Sequence, residues 1–273
     1  MKDTFYKFCS VCGEKRFFIC ETDISLREAR CSHCGAIKRN SDLARVILGT
    51  FTNNMTISLS QSQSHLKHLA IYESQASGPL HNVLKDLPHY ICSEYFDDIP
   101  NGTRNIEGIL CENLLDLSFP DETFDLVITQ DVLEHVESPE KAFLEIERVL
   151  KPGGYHIFTI PYHENKPTLR RIIVENEEKI YKYPQVFHGD PLREKGALVF
   201  TDFGSDMNTM IKNLGFSFES IPCEKWYLPS EIPYIADEKE YQTYLNYITE
   251  GNMLKYFKYN SWVFRTRKSG ICE

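Results

Sequence analysis

Nine cysteines occur in this chain of 273 residues, and four of them form two CxxC pairs near the N-terminus. Cys9, Cys12, Cys31 and Cys34 have the spacing C-x2-C-x18-C-x2-C, which lies within the range of structural zinc sites. Four thiolates complete the tetrahedron around such an ion and leave no position for water. The pattern therefore predicts a structural Zn²⁺, with Cys20, between the pairs, as an alternative ligand.

Two further features describe this N-terminal module. Gly13 and Gly35 directly follow the second cysteine of each pair, where a tight turn often requires a positive φ that glycine adopts readily. Residues 1–50 carry nine Lys or Arg against six Asp or Glu, a modest local excess of positive charge. We interpret the module as a small metal-held domain that serves structure or substrate docking, with RNA docking as the alternative.

Behind this module, apolar segments alternate with amphipathic ones. Strands are predicted at 68–72, 89–96, 107–114, 124–130 and 155–161. Helices are predicted at 78–87, 139–150 and 205–215, and the second of them begins after Ser138 and ends before KPGG. Alternating strands and helices predict a doubly wound α/β fold with a mainly parallel sheet.

Polar side chains follow four of these strands at the point where each strand ends. They are Glu73, Glu94, Asn113 with its neighbour Glu112, and Gln130 with its neighbour Asp131. Because ligands of doubly wound sheets bind beyond the carboxyl ends of the strands, we expect these side chains to converge on one site. Glu94 follows Glu73 by 21 residues, a spacing at which a carboxylate can accept hydrogen bonds from both hydroxyls of a ribose.

One long segment carries a resemblance to a known family. The residues FPDETFDLVITQDVLEHVESPEKAFLEIERVLKPGGYHIFTIPY, from Phe119 to Tyr162, resemble the centre of a class I S-adenosylmethionine-dependent methyltransferase of type 11. The resemblance implies a seven-stranded Rossmann-like sheet whose last strand is antiparallel, and SWVFRTR at 261–267 fits that strand. It also implies S-adenosylmethionine as the cofactor.

The same resemblance assigns roles to residues at the strand ends. Asn113 would hydrogen-bond the adenine amino group together with the backbone of Leu114, and Thr129 and Gln130 would face the methionine part. The remaining cofactor-binding residues that it implies are Glu73 and Gly78 in the first turn and Glu94 with Tyr95 after the second strand. The first turn, ESQASGPL, departs from the glycine-rich pattern of the family at Gln75 and Ser77.

Candidate bases for removing a proton from an acceptor follow the fifth strand. His188 with Asp190 is expected to line the acceptor pocket, and His163 is a further candidate. The alternative interpretation of HGDP is a simple turn with a capping Asp. His135, in the LEHV sequence, is expected to be a packing histidine in a helix close to the cofactor.

These observations predict a zinc ribbon at 1–50, a connector at 51–68, and a methyltransferase domain at 69–273 with insertions at 162–204 and 223–260. The formal net charge of −9 disfavours nucleic acid as the main partner. The sequence has no apolar run of membrane-spanning length, and its N-terminus does not have the pattern of a secretory signal, so we expect a cytoplasmic location and no membrane partner.

The expected function is methylation of a small polar acceptor, such as a sugar, a nucleotide-sugar or a phosphorylated metabolite of a biosynthetic or surface-glycan pathway. The alternatives are an RNA base methyltransferase that docks RNA on the ribbon, and a non-catalytic binding protein that has kept the fold. The sequence predicts no oligomeric state.

Overall fold

The computed structural model describes residues 3–20, 28–54, 56–190, 192–224, 239, 242 and 261–270. The predicted insertion at 223–260 therefore lies almost wholly outside the described residues. Within the described part of the chain, no helix is long and apolar enough to cross a membrane.

The strands are β1 (Asp3–Phe8), β2 (Lys15–Cys20), β3 (Arg30–Cys31), β4 (Ile71–Glu73), β5 (Tyr90–Glu94), β6 (Leu110–Cys111), β7 (Phe124–Gln130), β8 (Leu150–Thr159), β9 (Tyr162–His163), β10 (Leu169–Arg170), β11 (Ile172–Glu175), β12 (Glu178–Tyr181), β13 (Phe187–Asp190), β14 (Arg193–Leu198), β15 (Thr201–Gly204), β16 (Ser217–Glu224) and β17 (Ser261–Arg267). The helices are α1 (Lys38–Phe51), α2 (Gln63–Leu66), α3 (Gly78–Leu84), α4 (Pro139–Val149) and α5 (Met207–Asn213).

A seven-stranded sheet with the order β16-β17-β8-β7-β4-β5-β6 forms the centre of the fold. β17 is antiparallel to both of its neighbours, whereas β8, β7, β4, β5 and β6 pair in parallel. This confirms the predicted doubly wound α/β fold and its antiparallel strand at 261–267. The chain leaves β4 toward β5 on one side and returns to β7 on the other, so the crevice for a ligand lies at the carboxyl ends of β4 and β7.

The central strands form where continuous apolar runs can be buried on both faces. β7 matches the predicted strand at 124–130, and its residues Leu126, Val127 and Ile128 are fully buried. β8 begins at Leu150, five residues before the predicted start at 155, because the KPGG segment continues directly from α4 into the sheet. Gly154 permits this path, since a Cβ there would lie 2.9 Å from the carbonyl oxygen of Lys151.

The N-terminal module and the sheet share one hydrophobic core. β1, β2 and β3 form a small antiparallel sheet, and α1 follows directly and packs against β17 and β8. Buried residues of the module, including Val11 and Phe18, belong to the same apolar cluster as Ile71, Leu126 and Val263. The predicted boundary at residue 50 falls inside α1, and the predicted connector contains α2.

The insertion at 162–204 consists largely of short strands. β9, β10 and β15 form a three-stranded sheet, β11 pairs with β12, and β13 pairs with β14. Paired strands satisfy the backbone groups that face each other, so this segment forms ordered structure without a helix of its own.

Candidate functional site

The four cysteines of the two CxxC pairs come together at one point. Their Sγ atoms all lie within 4.8 Å of one another, and those of Cys9 and Cys34 are 3.7 Å apart. A tetrahedron of thiolates about 2.3 Å from a zinc ion has edges of about 3.8 Å, so the cluster has the dimensions of a four-cysteine zinc site. None of the four forms a disulfide.

Each pair forms a tight turn that aims its two thiols inward. The N–H of Gly13 donates to the carbonyl oxygen of Cys9 at 2.8 Å, and the N–H of Gly35 donates to that of Cys31 at 3.0 Å. Gly13 has a φ of +84° and Gly35 a φ of +74°, which confirms the predicted left-handed turns. The hydrogen bond between the Cys9 and Cys34 thiols lowers the pKa of Cys9 to about 5 and raises the pKa of Cys34, so Cys9 is the thiol of this pair that more readily forms a metal-binding thiolate.

Glu73 occupies the switch point of the main sheet, at the carboxyl end of β4. Its side chain is fully buried, and its two carboxyl oxygens accept hydrogen bonds from the Tyr90 hydroxyl at 2.6 Å and from Nε2 of Gln130 at 2.7 Å. Burial raises the pKa of this carboxyl to about 8 despite those two donors. Two of the predicted cofactor residues, Glu73 and Gln130, are thus in direct contact.

The turn after β4 lies against the end of β5. The backbone N–H of Ala76 donates to the Glu94 carboxylate at 2.8 Å, and burial raises the pKa of that carboxyl. Gly78 has a φ of +93°, which explains why glycine is kept there. Ser77 has an extended backbone with a φ of −148°, which any residue can adopt, so the turn does not depend on glycine at this position. Gln75 instead accepts a hydrogen bond from Gln130 at 3.2 Å.

The other predicted cofactor residues differ in how far their side chains are exposed to a ligand. Tyr95 is exposed at the end of β5, while Asn113 is half-buried beside the buried Leu114. The Asn113 side-chain oxygen accepts from the N–H of Leu115 at 2.9 Å. The Thr129 side chain is fully buried and its hydroxyl lies 3.0 Å from Nε2 of His156, so only the backbone of Thr129 remains for a ligand.

Helix α1 reaches this site from the N-terminal module. Nδ2 of Asn40 donates to the side-chain oxygen of Gln130 at 2.6 Å, and Arg39 forms an ion pair with Asp131 at 3.0 Å. Asp131 has a φ of +49° directly after β7, a strained position that these contacts hold in place. Sequence reasoning missed Asn40 and Arg39, because no motif links the first turn of a helix to a strand end 90 residues away.

His188 lies beside the LEHV sequence, as part of a cluster that sequence reasoning did not assemble. Its Nδ1 is 3.6 Å from Oε1 of Glu134, and Nε2 of His135 is 3.6 Å from the same oxygen. The two imidazole rings are nearly perpendicular, with centroids 5.1 Å apart. Glu134 was not predicted as a site residue, although its place beside His135 in LEHV was a usable signal.

The other two candidate bases lie elsewhere in the insertion. Asp190 is engaged within its hairpin, where it pairs with Arg193 at 2.5 Å and accepts from the N–H of Leu192 at 2.8 Å. His163 lies in β9, next to β15, and is 8% exposed. His135 lies in a short 3₁₀ turn and not in an α-helix, and its Nδ1–H donates to the carbonyl oxygen of Leu198 at 2.9 Å.

Comparison with known proteins gives matches that each cover part of the chain. A stretch of 39 residues is 56% identical to an uncharacterised methyltransferase of Schizosaccharomyces pombe. A stretch of 78 residues is 43% identical to an uncharacterised protein of Methanocaldococcus jannaschii. A stretch of 68 residues is 35% identical to norajmaline N-methyltransferase of Rauvolfia serpentina. These stretches are 14%, 29% and 25% of this chain, and they span 14%, 33% and 23% of the respective relatives.

Solved structures with similar folds include an S-adenosylmethionine-dependent methyltransferase from Mesorhizobium loti, at 14% identity and a TM-score of 0.41, covering 73% of this chain and 91% of that one. Another is the complex of the Haloferax volcanii Trm112 methyltransferase activator with a methyltransferase, at 16% identity and a TM-score of 0.39, covering 73% of this chain and 81% of that one. Residues 93–158, from the end of β5 into β8, match the family described as a methyltransferase domain.

Proposed function

We propose that this protein is an S-adenosylmethionine-dependent methyltransferase. The observation that carries the proposal is the hydrogen bond from the Ala76 N–H to Glu94. This contact brings the acidic end of β5 against the turn after β4, which is the arrangement a ribose and an amino-acid moiety need at a switch point. The match of residues 93–158 to the methyltransferase domain family supports the same conclusion.

The residues at this edge fit the parts of that cofactor. Glu94 would accept hydrogen bonds from the ribose hydroxyls, and Asn113 with the backbone of Leu114 would contact the adenine. Glu73 and Gln130, which contact each other, would border the methionine part near the positively charged sulfonium. When bound, the cofactor supplies an electrophilic methyl group, so the protein contributes chiefly proximity and orientation.

We propose a small polar acceptor, a sugar, nucleotide-sugar or phosphorylated metabolite, that enters beneath the β13–β14 hairpin. This hairpin carries His188 and Asp190, and Arg193 within it donates to the carbonyl oxygen of Tyr95 at 3.1 Å. It therefore touches the rim of the proposed cofactor site. His188 and His163 are the residues that we propose as candidate bases for an acceptor proton.

We also propose that the four-cysteine cluster holds a structural Zn²⁺. The 3.7 Å separation of Cys9 and Cys34 supports this assignment. Through α1, the ion would position Asn40 and Arg39 against Gln130 and Asp131. The metal would thus fix the wall of the cofactor site without taking part in methyl transfer.

Calorimetric titration of the zinc-loaded protein with S-adenosylmethionine and with its demethylated product tests the proposal. We expect micromolar binding, and Glu94→Ala should weaken it by more than about 1 kcal/mol because a charged hydrogen-bond acceptor is lost. Asp86→Ala, an exposed acid beyond the far end of α3, is the matched control. Absence of binding to both compounds would favour a non-catalytic binding protein, and an unchanged Glu94→Ala affinity would remove Glu94 from the ribose site.

The second candidate function is methylation of an RNA base, with the ribbon as the RNA-docking surface. The excess of Lys and Arg in residues 1–50 favours it, and the overall charge of −9 disfavours it. Salt dependence of RNA binding separates the two, since each phosphate contact releases counterions and steepens the loss of affinity with salt.

A further inference from the structure

We propose that Glu134, His135 and His188 form a divalent transition-metal site, distinct from the four-cysteine cluster. One nitrogen from each imidazole and one carboxylate oxygen all lie within 4.8 Å of one another. Two imidazoles and a carboxylate are a ligand set that binds such metals with coordination positions left open. The binding of this metal is argued from the three side chains alone. The role of the ion rests on the proposed methyltransferase function.

A carboxylate that is buried without hydrogen bonds is stabilised by a positively charged partner. Glu134 is 1% exposed, and neither of its oxygens accepts a hydrogen bond from any described residue. Removing a carboxylate from water without such a bond costs several kcal/mol. A cation between Glu134 and the two histidines removes that cost.

The hydrogen bond of His135 decides what its second nitrogen can do. Nδ1 of His135 faces the carbonyl oxygen of Leu198 at 2.9 Å, and a carbonyl can only accept, so Nδ1 carries the hydrogen. In the neutral ring, Nε2 then presents a lone pair toward the Glu134 carboxylate. Metal-binding histidines commonly donate their other ring N–H to a backbone carbonyl, which fixes the tautomer in this way.

The separations also favour a metal ion over a shared proton. Each imidazole nitrogen is 3.6 Å from Oε1 of Glu134, whereas a charge-assisted hydrogen bond brings nitrogen and oxygen to about 2.8 Å. Ligands about 2.1 Å from a common ion are about 3.0 to 3.4 Å apart. The two nitrogen–oxygen separations would therefore need to shorten by only a few tenths of an ångström, and the two imidazole nitrogens lie within 4.8 Å of each other.

The fold places this cluster above the proposed cofactor crevice. Glu134 follows the end of β7 closely, and the hairpin that carries His188 also contacts Tyr95 after β5. Because β4 lies between β7 and β5 in the sheet, a hairpin that touches both ends passes over the end of β4. Leu198, which orients His135, belongs to the same hairpin, so β13 and β14 together build the site.

Open positions on the ion would bind hydroxyl oxygens of the acceptor. The side chains of His135 and His188 are 17% and 33% exposed, so one side of the cluster is accessible. In this arrangement His188 would serve as a metal ligand and not as the base. A bound cation lowers the pKa of a hydroxyl, and its proton would pass to solvent. The oxygen would then form a bond to the methyl carbon while the carbon–sulfur bond breaks, and the electron pair stays on sulfur to give S-adenosylhomocysteine. With a metal at this site, the acceptor would be methylated at oxygen.

Titration with Mn²⁺, followed by electron paramagnetic resonance, tests the site on the full chain that carries one equivalent of Zn²⁺ for the four cysteines and no excess zinc. Mn²⁺ is paramagnetic, binds carboxylate and water oxygens, and competes poorly for thiolates, so the four-cysteine cluster does not interfere. We expect one Mn²⁺ per chain, at least about tenfold weaker binding in Glu134→Gln and in His188→Ala, and unchanged binding in His68→Ala, an exposed histidine elsewhere. No specific Mn²⁺ binding, or equal affinity in all four proteins, would overturn the proposal.

Two additions keep the test decisive. His188 lies in a hairpin at the surface, so His188→Ala gives a result even if Glu134→Gln fails to fold. Enhanced relaxation of water protons by the bound Mn²⁺ is expected from open positions, and its absence would overturn the acceptor-binding role. Mn²⁺ binding without S-adenosylmethionine binding would overturn the proposed function and leave the metal site standing; the reverse result would overturn the metal site alone.

Discussion

Glu73→Gln should remove a large pH dependence of stability that the buried carboxyl imposes. Burial raises the pKa of Glu73 from 4.5 in the unfolded chain to about 8 in the folded one, so the folded state holds the proton more tightly. Between these two values the folded state binds more protons, and stability therefore falls as pH rises. Its contribution is greatest below the unfolded pKa and is lost as pH rises through the folded value.

The size of the effect follows from the two pKa values. Their difference corresponds to about 5 kcal/mol over the whole window, of which about 3 to 4 kcal/mol falls between about pH 5 and about pH 8. A glutamine at this position resembles the protonated acid. Its oxygen can accept from Gln130, and its amide can donate to the Tyr90 oxygen while the Tyr90 hydroxyl turns to Nδ1 of His81, 3.0 Å away.

Denaturant unfolding of the zinc-loaded protein at a series of pH values measures this difference. We expect the stability of Glu73→Gln relative to the unsubstituted protein to rise by about 3 to 4 kcal/mol from about pH 5 to about pH 8. Glu112 is a second buried glutamate, and its carboxylate accepts a hydrogen bond from the N–H of Ser118 at 2.9 Å. Glu112→Gln is therefore the control for removing a buried acid at the same edge of the sheet. A difference that stays constant across the series would refute the raised pKa of Glu73.

Three further predictions concern the rest of the framework. Cys34→Ser should lower the zinc content measured by elemental analysis and destabilise the N-terminal module. The control, Cys92→Ser, should do neither. Full zinc occupancy in Cys34→Ser would contradict the four-cysteine assignment. Asn40→Ala should cost about 1 to 3 kcal/mol in unfolding free energy, because it leaves the buried Gln130 oxygen without its donor, and no loss would show that this contact is dispensable. Burial lowers the pKa of His156 to about 3, so stability should fall as pH drops below about 6.5, and His156→Leu should flatten that acid limb in the same unfolding series.

Much of the fold was predictable because local patterns agree with it. β7 and β17 match their predicted bounds, since their apolar runs fit strands whose faces are buried. The spacing of the two CxxC pairs predicted a cluster because each pair forms its own local turn. A single contact between the two turns then brings all four cysteines together. The start of β8 was predicted five residues late because glycines in KPGG suggested a loop, and the close approach that they permit depends on the neighbouring strand.

The sequence by itself determined which side chains end up at the carboxyl edge of the sheet, because strand ends and their polar residues are local features. Only the tertiary structure decided which of them meet. The 3.6 Å contact of Glu134 with His188 and the hydrogen bond of Asn40 to Gln130 join residues far apart in the chain, and no periodicity records such a pairing. Burial raises the pKa of Glu73 and leaves the Glu134 carboxylate without a hydrogen-bond donor among the described residues, and it is likewise a property of the packed core and not of the residue.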